Sequence, residues 1–439
     1  MGKFKARWRL GLGLMLLILL IGEEQVFAQS ELSELQKKLS AQDAVILELK
    51  AKLEEVTQGQ QETKAKLEEL SRSQVTKSDV FSTVDRWDQQ VGSKFFVTGY
   101  SSATYNDRRG ENGSFDASLN PAFHFRLYDK LHVNSEIEVT LKEDEGTEVE
   151  LEFAEADFFA HDNVILSAGK MLLPFNVFSE RLHPGWINKL PSLPPIYGTH
   201  GGNAVSPGIV PVLTDLGVQA RGGFELGEES MANYAIFLVN GPRAVEEEEG
   251  SMDGGSEEGS SETPEHDEQD RLSLEFGESS RDNNSNKVLG GRLGLIPISG
   301  VELGWSGFGG KYDDENKFFV WGSDAEWRYK GLELRGEYIN LSADLSAEKE
   351  ITQDGFYAQA SFRPGRTSWT SGWPKLVSDC ELIGRFGSAE TSEGEIDQTA
   401  LGLIYWVAES APLKFSYEFN DGDGGLGDDR FVSEFAYGF

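Results

Sequence analysis

The chain has 439 residues, a formal charge of −34, 38% hydrophobic and 11% aromatic residues. So acidic a chain disfavours nucleic-acid binding, which needs basic surface, and a single cysteine, Cys380, excludes an internal disulfide framework. Beyond the N-terminal segment no stretch is apolar enough for a membrane helix, which leaves a secreted soluble protein or a barrel whose alternate residues face lipid.

Residues 1–28 read as a secretory signal. Lys3, Lys5, Arg7 and Arg9 precede an apolar run from Leu10 to Ile21, and Val26-Phe27-Ala28 offers a small residue at a cleavage point. Residues 29–75 then carry heptads. The a positions from Leu32 are Leu39, Ile46, Leu53, Gln60, Leu67 and Gln74, and the d positions are Leu35, Gln42, Leu49, Val56, Thr63 and Leu70. That spacing predicts a short α-helical coiled coil, and hence an oligomer. Residues 76–94 form a polar linker.

From Phe95 the period becomes two. Leu131, Val133, Ile137, Val139 and Leu141 share one face; His132, Asn134, Glu136, Glu138 and Thr140 share the other. Sixteen such strands are predicted, at 95–105, 118–128, 131–142, 148–160, 163–170, 214–225, 231–240, 287–297, 300–310, 317–329, 331–342, 353–364, 378–388, 397–408, 411–419 and 429–439. The gaps between them alternate long and short, apart from a long even-numbered gap at 365–377. That parity suits a barrel with long loops on one side and tight turns on the other. The fold class is therefore all-β: an antiparallel transmembrane β-barrel of about sixteen strands over 95–439, preceded by the coiled coil. Both barrel ends lie on the short-turn side, which puts the coiled coil in the periplasm.

The last strand ends on Phe431, Phe435, Tyr437 and Phe439, all on one face. This ending resembles the C-terminal signature of Gram-negative outer-membrane proteins, whose last strand is recognised by the assembly machinery. The resemblance makes Phe435, Tyr437 and Phe439 an assembly signal. The whole architecture resembles the Gram-negative outer-membrane porins, of the general or the phosphate-selective kind. It implies a homotrimer in the outer membrane, contact with its lipids and lipopolysaccharide, no cofactor, and a third long loop folded into the pore as its constriction.

That loop is 171–213, rich in Pro and apolar anchors. Its polar residues Glu180, Arg181, His183 and Lys189, with Lys170 just before it, are the constriction candidates. The fourth long gap, 241–286, holds twelve Asp or Glu and no Lys or Arg between Glu246 and Asp270. It reads as a flexible external loop able to bind divalent cations loosely, with no defined metal site.

Alternation assigns Arg126, Glu136, Glu138, Arg221, Asp324, Glu326, Arg328, Glu333, Arg335 and Glu337 to the pore wall. Glu150, Glu152, Lys414 and Glu418 join them. Acids outnumber bases, so the expectation is a cation-leaning diffusion channel for small hydrophilic or ionic solutes. The basic residues of the third loop point instead to an anion- or phosphate-selective channel. Two further readings are a sugar porin with an aromatic track and a structural tether acting through the coiled coil. None of the six His sits in a nucleophile motif, so an enzyme is not expected.

Overall fold

The computed structural model describes residues 95–439 apart from 111, 128–129, 143–145, 199–203, 205, 245–271, 273, 277–284, 347–348, 371 and 423–426. The signal segment, the coiled coil, the linker and the acidic run 246–270 lie outside the described residues.

Among the described residues sixteen strands close into one antiparallel barrel. In chain order they are β1 (Phe95–Arg108), β2 (Ser114–Leu127), β3 (Leu131–Lys142), β4 (Gly146–His161), β5 (Val164–Leu172), β6 (Thr214–Glu225), β7 (Met231–Val239), β10 (Val288–Ile296), β11 (Val301–Lys311), β12 (Lys317–Tyr329), β13 (Leu332–Ser346), β14 (Lys349–Phe362), β15 (Cys380–Thr391), β16 (Gly394–Ala408), β17 (Ala411–Gly422) and β18 (Arg430–Gly438). Two short strands, β8 (Arg243–Ala244) and β9 (Leu274–Glu275), pair with each other in a separate two-stranded sheet. Each barrel strand pairs with its neighbour in sequence. β18 closes the ring on β1, with Ser101 opposite Tyr437 and Ala103 opposite Phe435. Closure leaves no sheet edge, the condition for a sheet in lipid.

The exterior is the apolar face of the alternation. Leu166, Val218, Ile236, Leu293, Trp305, Leu334 and Leu401 are exposed there. Aromatics gather towards the short-turn end, where Trp327 stacks on Tyr329 at 6.1 Å and Tyr437 meets Phe439 at 6.0 Å. A solvated monomer would not tolerate a belt of this extent; lipid does.

The strands reach further on the long-loop side than the expected bounds. β1 runs to Arg108 and β2 begins at Ser114, while β15 and β16 extend to Thr391 and from Gly394. At the extended ends of β15 and β16 the outer face turns polar, at Glu390 and Glu395, while Ala389 and Ile396 pack inside, so the apolar-outside pattern inverts and the period-two signal fades. The gap 365–377 is not a featureless connection. Short helical turns cover Pro364–Arg366 and Ser368–Thr370, and a helix covers Lys375–Ser378. Arg363 lies over the Trp406 ring at 4.8 Å and pairs with Glu409 at 2.8 Å. Nor is 241–286 uniformly free. Arg243 pairs with Glu275, at 2.5 Å, across the β8–β9 ribbon, and Phe276 packs edge-on against Phe308.

The hydrophobic core sits inside the barrel. The end of β5 contributes Met171, and the third loop contributes Leu173, Phe175, Phe178, Ile196, Tyr197, Ile209 and Val210. The barrel contributes lumen-facing Phe237, Phe308, Val320, Ile339, Leu341, Tyr357 and Ala389. Each fully buried large side chain among these is worth about 1.5–3 kcal/mol, so the loop is held to one side of the lumen by packing before any charge is counted.

Candidate functional site

β5 ends early, at Leu172, and its continuation turns into the lumen instead of rising to the rim. Asn176 makes the first turn with φ 51°, a left-handed conformation that Asn tolerates. Its backbone N–H donates to Ser306 Oγ at 3.0 Å, and Ser306 Oγ donates to its side-chain carbonyl at 3.0 Å. The loop approaches so closely here that a Cβ on Gly322 would stand 2.6 Å from Asn176 Oδ1. Farther along, a Cβ on Gly402 would stand 2.4 Å from Leu190 Cδ2. These wall positions are seats for the loop, and only glycine leaves room.

Glu337 is the main staple. Its carboxylate accepts the backbone N–H groups of Val177 at 3.2 Å and Phe178 at 2.8 Å, and Tyr197 Oη donates to its other oxygen at 2.6 Å. Farther round, Arg385 donates to Ser192 Oγ at 2.6 Å and to the carbonyls of Ser192 and Leu193. Ser192 also donates to Glu418, which Arg430 neutralises at 2.6 Å. Lys414 donates to the Gly185 carbonyl and pairs with Glu434 at 3.2 Å.

The constriction candidates fall in different places. Arg181 pairs with Glu302 at 2.5 Å, and its side chain keeps 43% exposure to the lumen. Burial acts against its charge, but the bond to Glu302 outweighs it and raises the guanidinium above its ordinary value. Glu180 lies 3.8 Å from Arg221, which also reaches Asp157 at 3.7 Å. His183 Nδ1 donates to the Ser179 carbonyl at 2.8 Å, and its Nε2 stands 4.0 Å from Glu152. Lys189 is clamped by Glu381 at 2.7 Å and Glu333 at 2.9 Å, and donates to Ser361 Oγ. The segment 180–189 thus meets wall residues from β4, β6, β11, β13, β14, β15 and β17.

Lys170 is the correction. Ser167 and Met171 of β5 face inward, so Lys170 faces outward beside its register partners Leu216 and Ala154. Its Nζ donates to the Leu151 carbonyl at 2.7 Å. The alternation of a strand allows no lumen role for it.

The wall candidates Arg126, Glu136, Glu138, Arg221, Asp324, Glu326, Arg328, Glu333, Arg335 and Glu337 all share the inward face of their strands. Many are locked in pairs. Arg335 binds Glu333, and Arg328 binds Glu326. Asp324 holds Arg292 at 2.6 Å. Sequence reasoning missed Arg292, Glu302, Glu381, Arg385, Arg430 and Glu434. Each sits in strict alternation on its strand, and that periodicity was signal enough to find them.

β3 and β4 differ from the rest of the wall. A β-bulge leaves Glu152 extra between the pairs Glu136–Phe153 and Ile137–Leu151. The extra residue reverses the parity of β4. Glu148, Glu150 and Glu152 face inward before it, and Glu155 and Asp157 after it. Together with Glu136 and Glu138 they make the acidic side of the lumen, across from the loop's core. Phe435, Tyr437 and Phe439 lie on the outer face, where Phe439 exchanges backbone hydrogen bonds with Gly99 at 2.9 and 3.0 Å.

No protein-family model and no curated protein match the chain. Solved structures similar to it include OmpF of Salmonella typhi (10% identity, 79% of this chain and 98% of that chain, TM-score 0.48). The trimer form of OmpT from Vibrio cholerae matches at 11% identity, 79% and 99% coverage, TM-score 0.47. An anion-selective porin from Comamonas acidovorans matches at 10% identity, 79% and 99% coverage, TM-score 0.46. At these identities nothing about solutes passes from them to this chain. By its own geometry the chain is a closed sixteen-stranded antiparallel barrel with an outer apolar belt and a third loop folded into its lumen.

Proposed function

We propose that the protein is an outer-membrane channel for small hydrophilic or ionic solutes, and that it leans towards cations. One observation carries the reading. The basic groups Arg181, Lys189, Arg292, Arg335, Lys414 and Arg430 are each paired with a carboxylate, while β3 and β4 add seven acids to the lumen. A wall with excess carboxylate in a low-dielectric surround concentrates cations. The reversal potential of the reconstituted full chain under a salt gradient tests this. A cation-signed potential is expected, and an anion-signed one overturns the reading.

An anion- or phosphate-selective channel is the second reading, favoured by the accessible Arg181 and decided by the same sign. The remaining assignments complete the proposal. The N-terminal heptads hold copies together in the periplasm, as a homo-oligomer and in the first instance a trimer. The terminal aromatics address the assembly machinery. The run 246–270 attracts divalent cations outside the barrel.

A further inference from the structure

The connection between β14 and β15 is the long one on the short-turn side of the barrel. Its underside is sealed. Pro364, Thr367 and Thr370 are buried. Thr367 Oγ1 and Thr370 Oγ1 share a hydrogen bond at 2.6 Å, and both hydroxyls reach the Pro364 carbonyl. Arg363 clamps the turn to Glu409 at 2.8 Å. Its upper side is open. Residues 372–377 are all exposed, with Trp373 at 45%, Leu376 at 66% and Val377 at 39%. A platform held this firmly from below presents large apolar side chains to its surroundings, an arrangement that marks an interaction surface.

Two observations say what lies against it. The first is position. Cys380 pairs with Tyr405 and shares the outward face of β15 with the exposed Leu382. Its Sγ donates to the Leu376 carbonyl at 3.1 Å, so the short helix Lys375–Ser378 stands at the lipid-facing foot of the barrel. On the other flank a Cβ on Gly331 would stand 2.3 Å from the Arg363 carbonyl oxygen. That contact sets the turn beside Trp327, Tyr329 and Lys330, at the end of the aromatic belt. The open patch therefore continues the apolar exterior. The second observation is charge. In a chain of −34, residues 363–380 hold Arg363, Arg366 and Lys375 against Asp379 alone. Apolar side chains flanked by bases suit a surface that lies in a membrane interface.

We propose that residues 372–377 dock in the phospholipid leaflet on the short-turn side of the barrel. Trp373, Leu376 and Val377 lie among the upper acyl carbons, and Arg366 and Lys375 meet phosphate groups. Glu409 sits between Arg363 and Arg366 and offsets one of their two charges; the other, with Lys375, faces the leaflet and favours anionic headgroups. The turn is then an interfacial anchor, and such anchors set the tilt and depth of a spanning structure. The proposal rests on the reading of the barrel as membrane-embedded and adds a lipid contact that the strands themselves do not make.

The test uses the full chain in vesicles of phosphatidylcholine and phosphatidylglycerol. In a C380S background an environment-sensitive dye is placed at L376C, at L401C on the exposed outer face of β16, and at E228C in an exposed turn on the same side as the patch. At L376C, quenching by a nitroxide held near the headgroups is expected, with iodide quenching several-fold weaker than at E228C. The nitroxide should quench L376C more when carried on phosphatidylglycerol than on phosphatidylcholine. R366Q/K375Q should reduce that preference by up to about fivefold per residue. Iodide access equal to that of E228C, without nitroxide quenching, puts the turn in water and overturns the proposal. Protection from both quenchers puts protein on the patch and overturns it equally. A phosphatidylglycerol preference that survives R366Q/K375Q overturns the headgroup assignment. L401C separates the failures. If a deep nitroxide does not quench it, the membrane reading falls as well; if it does, the failure is confined to the docking of the turn.

Discussion

Arg181 and Lys189 carry like charge and sit eight positions apart on one loop, yet their surroundings give them different work. Arg181 is half open to the lumen and neutralises Glu302. In Arg181→Ala that carboxylate keeps only the longer contact to Arg292, at 3.5 Å, so the reversal potential should move towards stronger cation preference. Lys189 is nearly enclosed between two carboxylates. Breaking a buried pair from one side costs about 3–5 kcal/mol, so Lys189→Ala should lower the unfolding midpoint and make the current noisier. Lys170→Ala, which changes only the outer face, should leave the reversal potential as it is. Glu409 gives a pH dependence. Hydrogen bonds from Arg363, then attraction to both Arg363 and Arg366, hold its carboxyl below the usual range. A depressed carboxyl stabilises above its unfolded pKa, near 4.3, and that contribution is lost as pH falls through the folded value. Protease cleavage within 363–378 should therefore increase on acidification below about pH 4, and Glu409→Gln should show it already at neutral pH.

Two elements determine how the lumen is divided. The first is the third loop, fixed by an apolar core and by Glu337. Glu337→Leu strips the acceptor from two backbone N–H groups and from Tyr197. Each buried donor left unsatisfied costs about 1–3 kcal/mol. The barrel is braced by its own ladder and should persist while the loop loosens. Larger, noisier conductance with unchanged strand content by circular dichroism is the expected outcome. A rise in noise with lost strand content would place the defect in the barrel instead. The second element is the bulge in β4. Deleting Glu152 restores regular pairing and keeps Glu148, Glu150, Glu155 and Asp157 on the inner face, so the yield of folded barrel in detergent should stay as it is.

At the scale of the whole molecule, packing and charge occupy different sides of the barrel. The apolar core of the loop covers the lumen face of β7 and β10–β16, while its segment 180–189 reaches the acids of β4 where His183 meets Glu152. Selectivity that arises from such a wall is electrostatic and screened, with a Debye length of about 10 Å at 0.1 M salt and about 3 Å at 1 M. Cation preference should accordingly decline as the salt on both sides is raised at constant ratio, whereas a preference imposed by steric exclusion would not.

The strand order and the inward or outward face of nearly every wall residue were legible in the sequence, because alternation is a local property and lipid punishes every exception. Glu136, Asp324 and Glu337 could be assigned to the lumen from period two alone. At the upper ends of β15 and β16 the outer face is polar, at Glu390 and Glu395, and the inner face carries the core residues Ala389 and Ile396, so the apolar-outside pattern inverted and the bounds came out short. Lys170 shows the other limit. Its basic side chain beside the loop suggested a pore role, but the parity of Ser167 and Met171 turns it outward. What only the tertiary structure decided is which charges remain available. Arg181 finds Glu302 and Lys189 finds Glu333 and Glu381 across more than a hundred residues of chain, and no spacing rule connects residues that meet only because a ring of strands closes around a loop. The sequence determined the barrel through short-range alternation; the pairing of charges inside it depended on closure, which brings distant strands within Coulomb range of one loop.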